Sequence, residues 1–407
     1  MPKTATMLPS GVRTTDTLTV TQFAATFPVD TINEILEELG CGTVRVRHLP
    51  NEFVIYFVMM LALFRDCSHR EVYRCVALAL NRLMGKGSTK IFIPSASALS
   101  QARSRVKDEP LKRLFHKLAV PVGKVGEKGV WYRRWRKMAI DGCLVNAEDT
   151  PSNRKTFGRA TNQHTTIGGA PQLRFVSLME IGTHLFVGAA MGGYYDGETS
   201  LAKEVLSFLK PDMICMADRN FYSFDIFKQI TDTGAAVLFR LQKGMSFASD
   251  KQLEDDSHLI TIYSSTDTKK REGLKARLIQ YKMIGSPTKE AIFLITNILD
   301  AKEAPANELA ALYHERWEYE NALDELKTHL NARSIVLRSK TPELVKQELW
   351  GMLMTHYVIR STMYQAASRE KLDPDRLSFT HAVRVVKRTL VKSASDFSPS
   401  TTAPTID

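Results

Sequence analysis

The stretch Tyr313–Lys327, YHERWEYENALDELK, constrains this chain more than any other. Ala, Leu, Glu and Lys dominate it, and it holds neither Gly nor Pro, so it reads as a helix. At about 100° per residue, Tyr313, Arg316, Glu320 and Lys327 fall within an arc of roughly 60°. Leu312, Tyr319, Leu323, Leu326 and Leu330 form an apolar stripe beside it. One face can therefore dock on a core while the next gathers a phenol, a guanidinium, a carboxylate and an ammonium. A solvated helix with incidental ion pairs has the same pattern.

Two acidic residues elsewhere bear on that choice. Met138–Val145 reads as a short buried strand with Asp141 inside it, and Met213–Asp218 as another that ends in Asp218. A carboxylate in or at the end of a buried strand needs a partner, because unpaired desolvation is costly. A divalent metal is one such partner. A helix cap or an arginine is the other.

Three motifs carry a family resemblance: Ile140-Asp141-Gly142, Ala217-Asp218-Arg219-Asn220-Phe221, and Tyr-x2-Arg-x3-Glu-x6-Lys, met at Tyr313, Arg316, Glu320 and Lys327. On these the sequence resembles the DDE transposases of the bacterial insertion element four family, from about Ile32 to about Arg388. The resemblance implies an Mg²⁺-dependent enzyme that nicks DNA and transfers strands. Asp141, Asp218 and Glu320 would be its catalytic residues and would hold two Mg²⁺ ions about 4 Å apart, for which Mn²⁺ can substitute. Tyr313, Arg316 and Lys327 would grip phosphates near the cut, with Arg219, Arg338 and Lys340 as further DNA contacts. The implied partners are the inverted-repeat ends of an insertion sequence and target DNA, handled cut-and-paste by a homodimer in the DNA complex. A metal nuclease without strand transfer and a domesticated repressor are the alternatives. Some relatives stack a flipped base on a Trp in a β insertion. No Trp lies between Trp135 and Trp317 here, which leaves Phe293 or Phe247 for such a role.

The rest of the chain is compatible with this. A net charge of +11 favours a polyanionic partner. Five cysteines without CxxC spacing read as reduced thiols, and the ten histidines show no paired ligand spacing, so a cytoplasmic, nucleoid-associated protein without zinc is expected. No secretory signal is read at the start, and the longest apolar run, Phe53–Phe64, is too short for a bilayer.

In order, the expected architecture is a flexible arm (1–27), a helical DNA-binding domain (28–123), a ribonuclease-H-like α/β catalytic domain (124–242 with 298–335), a β-rich insertion (243–297), a helical carboxy-terminal region (336–392) and a disordered tail (393–407). Residues 1–120 alone are expected to bind DNA through arginines such as Arg45, Arg47, Arg70, Arg74, Arg103 and Arg105. The run Trp131–Lys137 either lies along a nucleic-acid backbone or forms a basic strand edge. The polar segment 146–172, with Arg154, Lys155, Arg159 and His164, is either a substrate loop or disordered. Lys269, Lys270, Arg271, Lys275 and Arg277 make the insertion basic, so it either lies along DNA or is a solvated loop. The order strand, hairpin, helix, strand, helix, strand, then the Glu320 helix, makes the Asp141 and Asp218 strands neighbours.

Overall fold

A computed structural model describes residues 20–42, 49–83, 93–127, 129–160, 169–282, 291–330, 336–374 and 377–395. Arg45, Arg47, His48, His164, Arg333, most of the expected arm and the end of the tail lie outside the described residues. The chain divides into two compact units. One takes residues up to Leu118, the segment from Glu325 to 334 and the chain from Glu343 on; the other takes Ala119–Asp324 and Ile335–Pro342.

The first unit is helical. Val20–Thr26, within the expected arm, forms a short helix. Helices follow at Val29–Glu38, Asn51–Leu63, His69–Leu83, Ala96–Val106 and Glu109–Leu118, and later at Pro342–Arg369 and Phe379–Ser395. Asn51–Leu63 is apolar almost all round and buried along nearly its whole length. The long helix Pro342–Arg369 lies against it. A Cβ on Gly351 would come within 2.7 Å of a Val58 methyl, so the missing side chain sets that approach. Thr355 donates to the Met59 carbonyl at 2.9 Å. The amino- and carboxy-terminal helices thus share one core, which the sequence reading had as two regions.

This core also takes up arginines expected on DNA. Arg103 is buried, donating to Gln347 Oε1 at 2.8 Å and to the Leu344 carbonyl at 3.1 Å. Arg105 donates to the Leu49 carbonyl at 2.8 Å. Both bind the polar ends of neighbouring elements inside the unit, where a buried guanidinium must be satisfied.

The second unit is built on one sheet. Its strands are β1 (Trp131–Tyr132), β2 (Trp135–Ala147), β3 (Gln172–Glu180), β4 (Leu185–Gly193), β5 (Met213–Ala217), β6 (Ala236–Arg240), β7 (Ser249–Gln252), β8 (His258–Ile262), β9 (Leu274–Lys282), β10 (Ala291–Thr296) and β11 (Val336–Leu337). The order is β4-β3-β2-β5-β6-β10-β9-β8-β7, with β1 and β11 paired to β2. The β2–β3–β4 meander is antiparallel, while β2, β5 and β6 run parallel. Helix Glu198–Val205 covers β3 and β4, and helix Phe224–Asp232 packs on β6. This is the ribonuclease-H-like arrangement, and it makes the Asp141 and Asp218 strands neighbours.

The insertion extends the same sheet. β10 pairs antiparallel with β6, covering an edge that would otherwise expose its hydrogen-bonding groups. Two of its cations are used internally: Lys275 bonds Asp250 at 2.8 Å, and Arg277 is buried against Asp255, Ser257 and the Ala304 carbonyl. The run Trp131–Lys137 takes the strand-edge form, as the β1–β2 hairpin. Arg133 pairs with Glu308, Arg134 with Glu303, Arg136 with Glu180 and Lys137 with Glu315, so its charges are spent within the protein. In segment 146–172, Pro151–Phe157 forms a helix capped by Thr150.

The stretch around Glu320 is helical but broken. It comprises helix Ala306–His314, a 3-10 turn at Glu315–Trp317, helix Glu318–Asp324 and a π turn at Glu325–His329. The π turn closes with Leu330 N–H donating to the Glu325 carbonyl at 2.7 Å. Glu325 itself accepts from Arg360 Nε at 2.7 Å in the core of the helical unit. A single uninterrupted arc from Tyr313 to Lys327 therefore does not form.

Candidate active site

Strand register places the acidic residues. β2 and β5 pair in parallel with Ile140 opposite Ala217, so Asp141 and Asp218 occupy the next position on adjacent strands. β5 pairs with β6 with Ala217 opposite Phe239, which puts Arg240 at the same level one strand further on. Two carboxylates and a guanidinium thus follow one another across the sheet. Nothing in the local sequence marks Arg240. Its place emerges only from the pairing of β5 with β6.

Asp141 is largely buried. Its Oδ1 accepts from the Gly142 N–H at 2.8 Å and its Oδ2 from Arg316 Nη1 at 3.0 Å. Burial pushes its carboxyl up to about 6; the Gly142 N–H and Arg316 oppose that rise, while Asp218 and Glu198 add to it. Glu198, unmarked by any motif, approaches because Gly142 has no side chain: a Cβ there would meet Glu198 Cγ at 3.3 Å. Arg174 pairs with Glu198 at 2.5 Å. Asp218 ends its strand in a turn, accepting from Asn220 N–H at 2.8 Å.

Glu320 lies on helix Glu318–Asp324 with its side chain 50% exposed, 3.8 Å from Arg316 Nη2. Arg316, nearly buried, therefore stands between the first and third carboxylates. Its guanidinium lies 5.9 Å from the Tyr313 ring centre and 5.6 Å from that of Trp317. Tyr313 is buried, and burial raises its phenol above the usual range although Arg316 and Arg240 draw it back.

Arg219 is exposed beside Asp218 and lines a cavity of about 290 Å³ with Arg240, Lys243, Leu241, Ala291, Ile292 and Phe293. Phe247, the other aromatic of interest, is not among its lining residues. Arg338 and Lys340 are exposed just after β11, which runs parallel to the end of β2. The Lys340 carbonyl accepts from Thr150 and that of Ser339 from Asn153. Lys327, in the π turn, belongs to the helical unit.

Asp141, Asp218 and Glu320 fit a divalent cation in kind, since hard cations take carboxylate oxygens. Asp141, within β2, and Asp218, just past the end of β5, lie level on adjacent strands, and Glu320 shares Arg316 with Asp141. Among the described residues no three acidic, His or Cys side chains form a finished cage. Arg316 here supplies the positive charge between Asp141 and Glu320 that a cation would supply.

Residues 17–116 match the insertion element 4 transposase N-terminal model, and residues 136–358 match the transposase DDE domain. The transposase InsG for insertion sequence element IS4 of Escherichia coli K12 is 30% identical over 373 residues, covering 88% of this chain and 80% of that protein. The chain belongs to the insertion element 4 family of DDE transposases. As a member, it is a metal-dependent DNA transposase, and its partner is DNA. A solved piggyBac transposase synaptic complex with hairpin DNA aligns with 95% of this transposase and 82% of its own chain, at 12% identity and a TM-score of 0.48, a likeness too slight to bear on the fold. Among the described residues, no helix of the transposase is long and apolar enough to cross a membrane.

Proposed function

We propose that this transposase binds the inverted-repeat ends of an insertion sequence, cuts them by hydrolysis, and joins the freed 3′-OH to target DNA in a cut-and-paste reaction. The observation that carries this is that Asp141, within β2, and Asp218, just past the end of β5, lie level on adjacent strands, while Glu320 shares Arg316 with Asp141. Those three carboxylates would hold two Mg²⁺ ions, or Mn²⁺ in their place. When bound, the cations polarise the scissile phosphate and lower the pKa of the attacking water or hydroxyl.

The protein's own side chains do the rest. Arg316 is placed to exchange its carboxylate partners for a phosphate, to which a guanidinium binds through two N–H groups. The Tyr313 ring stands beside that guanidinium. Arg219 adds a charge on the far side of Asp218, in a cavity where Arg240 stands next to it. Arg338, Lys340 and Lys327 supply further phosphate contacts as point charges or forks. Two ends must be handled together, so the DNA complex is a homodimer. It acts at the bacterial nucleoid in the cytoplasm.

The test uses the full-length chain with end DNA and Mg²⁺, following nicking and joining on gels beside a binding assay. Wild type should nick and join. Glu320→Ala, Asp141→Ala and Asp218→Ala should bind the ends and do neither. Nicking by Glu320→Ala at near the wild-type rate would overturn the assignment. Cutting without joining by wild type would leave a nuclease in place of a transposase.

A further inference from the structure

We propose that Tyr319 is a positioning residue that sets the distance between the Asp141 and Glu320 carboxylates. This rests on the reading of those two acids as metal ligands.

Tyr319 immediately precedes Glu320 and, about 100° round the helix from it, turns into the core. It is fully buried, whereas Glu320 is half exposed. Its hydroxyl donates to the main-chain carbonyl of Asp141 at 2.8 Å. The proton being so used, the Ser177 hydroxyl, 2.5 Å away, donates to the phenol oxygen. Ser177 is the register partner of Asp141 across β2 and β3. One phenol therefore binds the backbone at the first acid and the side chain opposite it. It is carried by the residue next to the third acid. Phe186 meets its ring edge-on at 5.8 Å and fixes the ring's tilt.

The helix needs such a tie. Glu318–Asp324 is seven residues long, with a 3-10 turn before it and a π turn after it. Two turns of helix bounded by irregular backbone hold their place by contacts rather than by propensity. Glu318 is also tied to His184, just before β4, at 3.1 Å. The Tyr319 bond runs from this helix to the backbone of the residue that must act with Glu320, whereas Arg316, in the preceding 3-10 turn, meets the two acids at their side chains. Groups that orient ligands in this way typically change metal affinity by 10–100-fold when removed.

The experiment titrates Mn²⁺ into full-length protein with end DNA, reading free Mn²⁺ by its electron paramagnetic resonance signal, beside thermal melts. Tyr319→Phe keeps the ring and removes the hydroxyl. We expect Mn²⁺ affinity to fall about tenfold, with the metal concentration for half-maximal nicking rising in parallel and the rate recovering at saturating metal. Ser177→Ala keeps the bond to Asp141 but loosens the phenol, and should shift affinity the same way by less. Asp141→Ala and Glu320→Ala should lose Mn²⁺ binding; if they bind as wild type does, the metal-site reading itself is overturned. If they lose binding while Tyr319→Phe melts lower yet binds Mn²⁺ as wild type does, Tyr319 is merely structural and the proposal is wrong. Should Tyr319→Phe fail to fold, Ser177→Ala decides: a shift supports positioning, and none overturns it.

Discussion

At the scale of single residues, chemistry and position have to be separated. Asp141, Asp218 and Glu320 stand out in the sequence because each sits in a family motif, and the level placement of the first two follows from the strand order the sequence implied. Arg240 was not legible, since strand pairing alone brings it level with Asp218. Tyr319 was read as one member of an apolar stripe, and burial bears that out; its hydroxyl's partner is a carbonyl that no sequence pattern reports. Two predictions belong at this scale. Asp324 is exposed one turn beyond Glu320, and Asp324→Ala should retain cleavage while Glu320→Ala loses it in the same nicking assay. The second concerns pH. Burial raises Asp141 to about 6 in the folded chain, so the native state keeps a proton that the unfolded chain has already lost in the ordinary carboxylate range. Stability therefore falls as pH rises through that window to about 6, by on the order of 2–3 kcal/mol for a shift of about two units. Asp141→Asn cannot ionise. In melts of metal-free protein, its midpoint should gain on wild type from about pH 4 and level off above about pH 6. A constant difference across the range would show that Asp141 is not a buried titrating acid.

At the scale of elements, the expected order of strand, hairpin, helix, strand, helix and strand, the β-rich insertion and the helical carboxy-terminal region all appear, because length and apolar pattern agree there. The sequence reading missed the breaks around Glu320. Helical periodicity and good helix formers continue straight through Glu315–Trp317 and Glu325–His329, while the π turn accompanies Glu325's bond to Arg360 in the helical unit. It also missed that Asn51–Leu63 needs a partner from nearly 300 residues on. An all-round apolar helix announces burial but not by what. Gly351 is the residue that admits Val58, and Gly351→Ala should overpack this contact and destabilise the chain by about 1–3 kcal/mol, read by chemical denaturation. An unchanged midpoint would mean that the two helices can separate freely. For the same reason residues 1–120, expected from sequence to bind DNA by themselves, should be insoluble or unfolded when expressed alone, since helix Pro342–Arg369 is absent; circular dichroism and gel filtration would show it. A folded monomeric fragment would contradict the shared core.

At the scale of the whole molecule, the charge of +11 predicts attraction to DNA but not which cations meet it. Arg103 is sealed in the helical core, Arg133, Arg134, Arg136 and Lys137 are paired with glutamates, and Lys275 and Arg277 with aspartates. Sequence could count these charges but not pair them, because each partner lies far along the chain or across a strand. Arg219 and Arg240 pair with no carboxylate among the described residues and share the cavity beside Asp218. Each phosphate neutralised by the protein releases counterion, and the slope of log affinity against log salt records how many are involved, at about 0.9 per phosphate on duplex DNA. Full-length protein should therefore bind end DNA with a steep slope, losing roughly a thousandfold or more between about 50 and 200 mM salt if six or more phosphates are held. Glu320→Ala should bind with the same slope, because the acid adds no phosphate contact. Replacing both Arg219 and Arg240 with Ala should flatten the slope by about two. Arg133→Ala, which removes one partner of Glu308 and no phosphate contact, should leave it unchanged. The measurement is a filter-binding or anisotropy titration of each variant at several salt concentrations. If Arg133→Ala flattens the slope and the Arg219 and Arg240 pair does not, the DNA lies along the β1–β2 hairpin, and the basic cavity beside Asp218 is not its track.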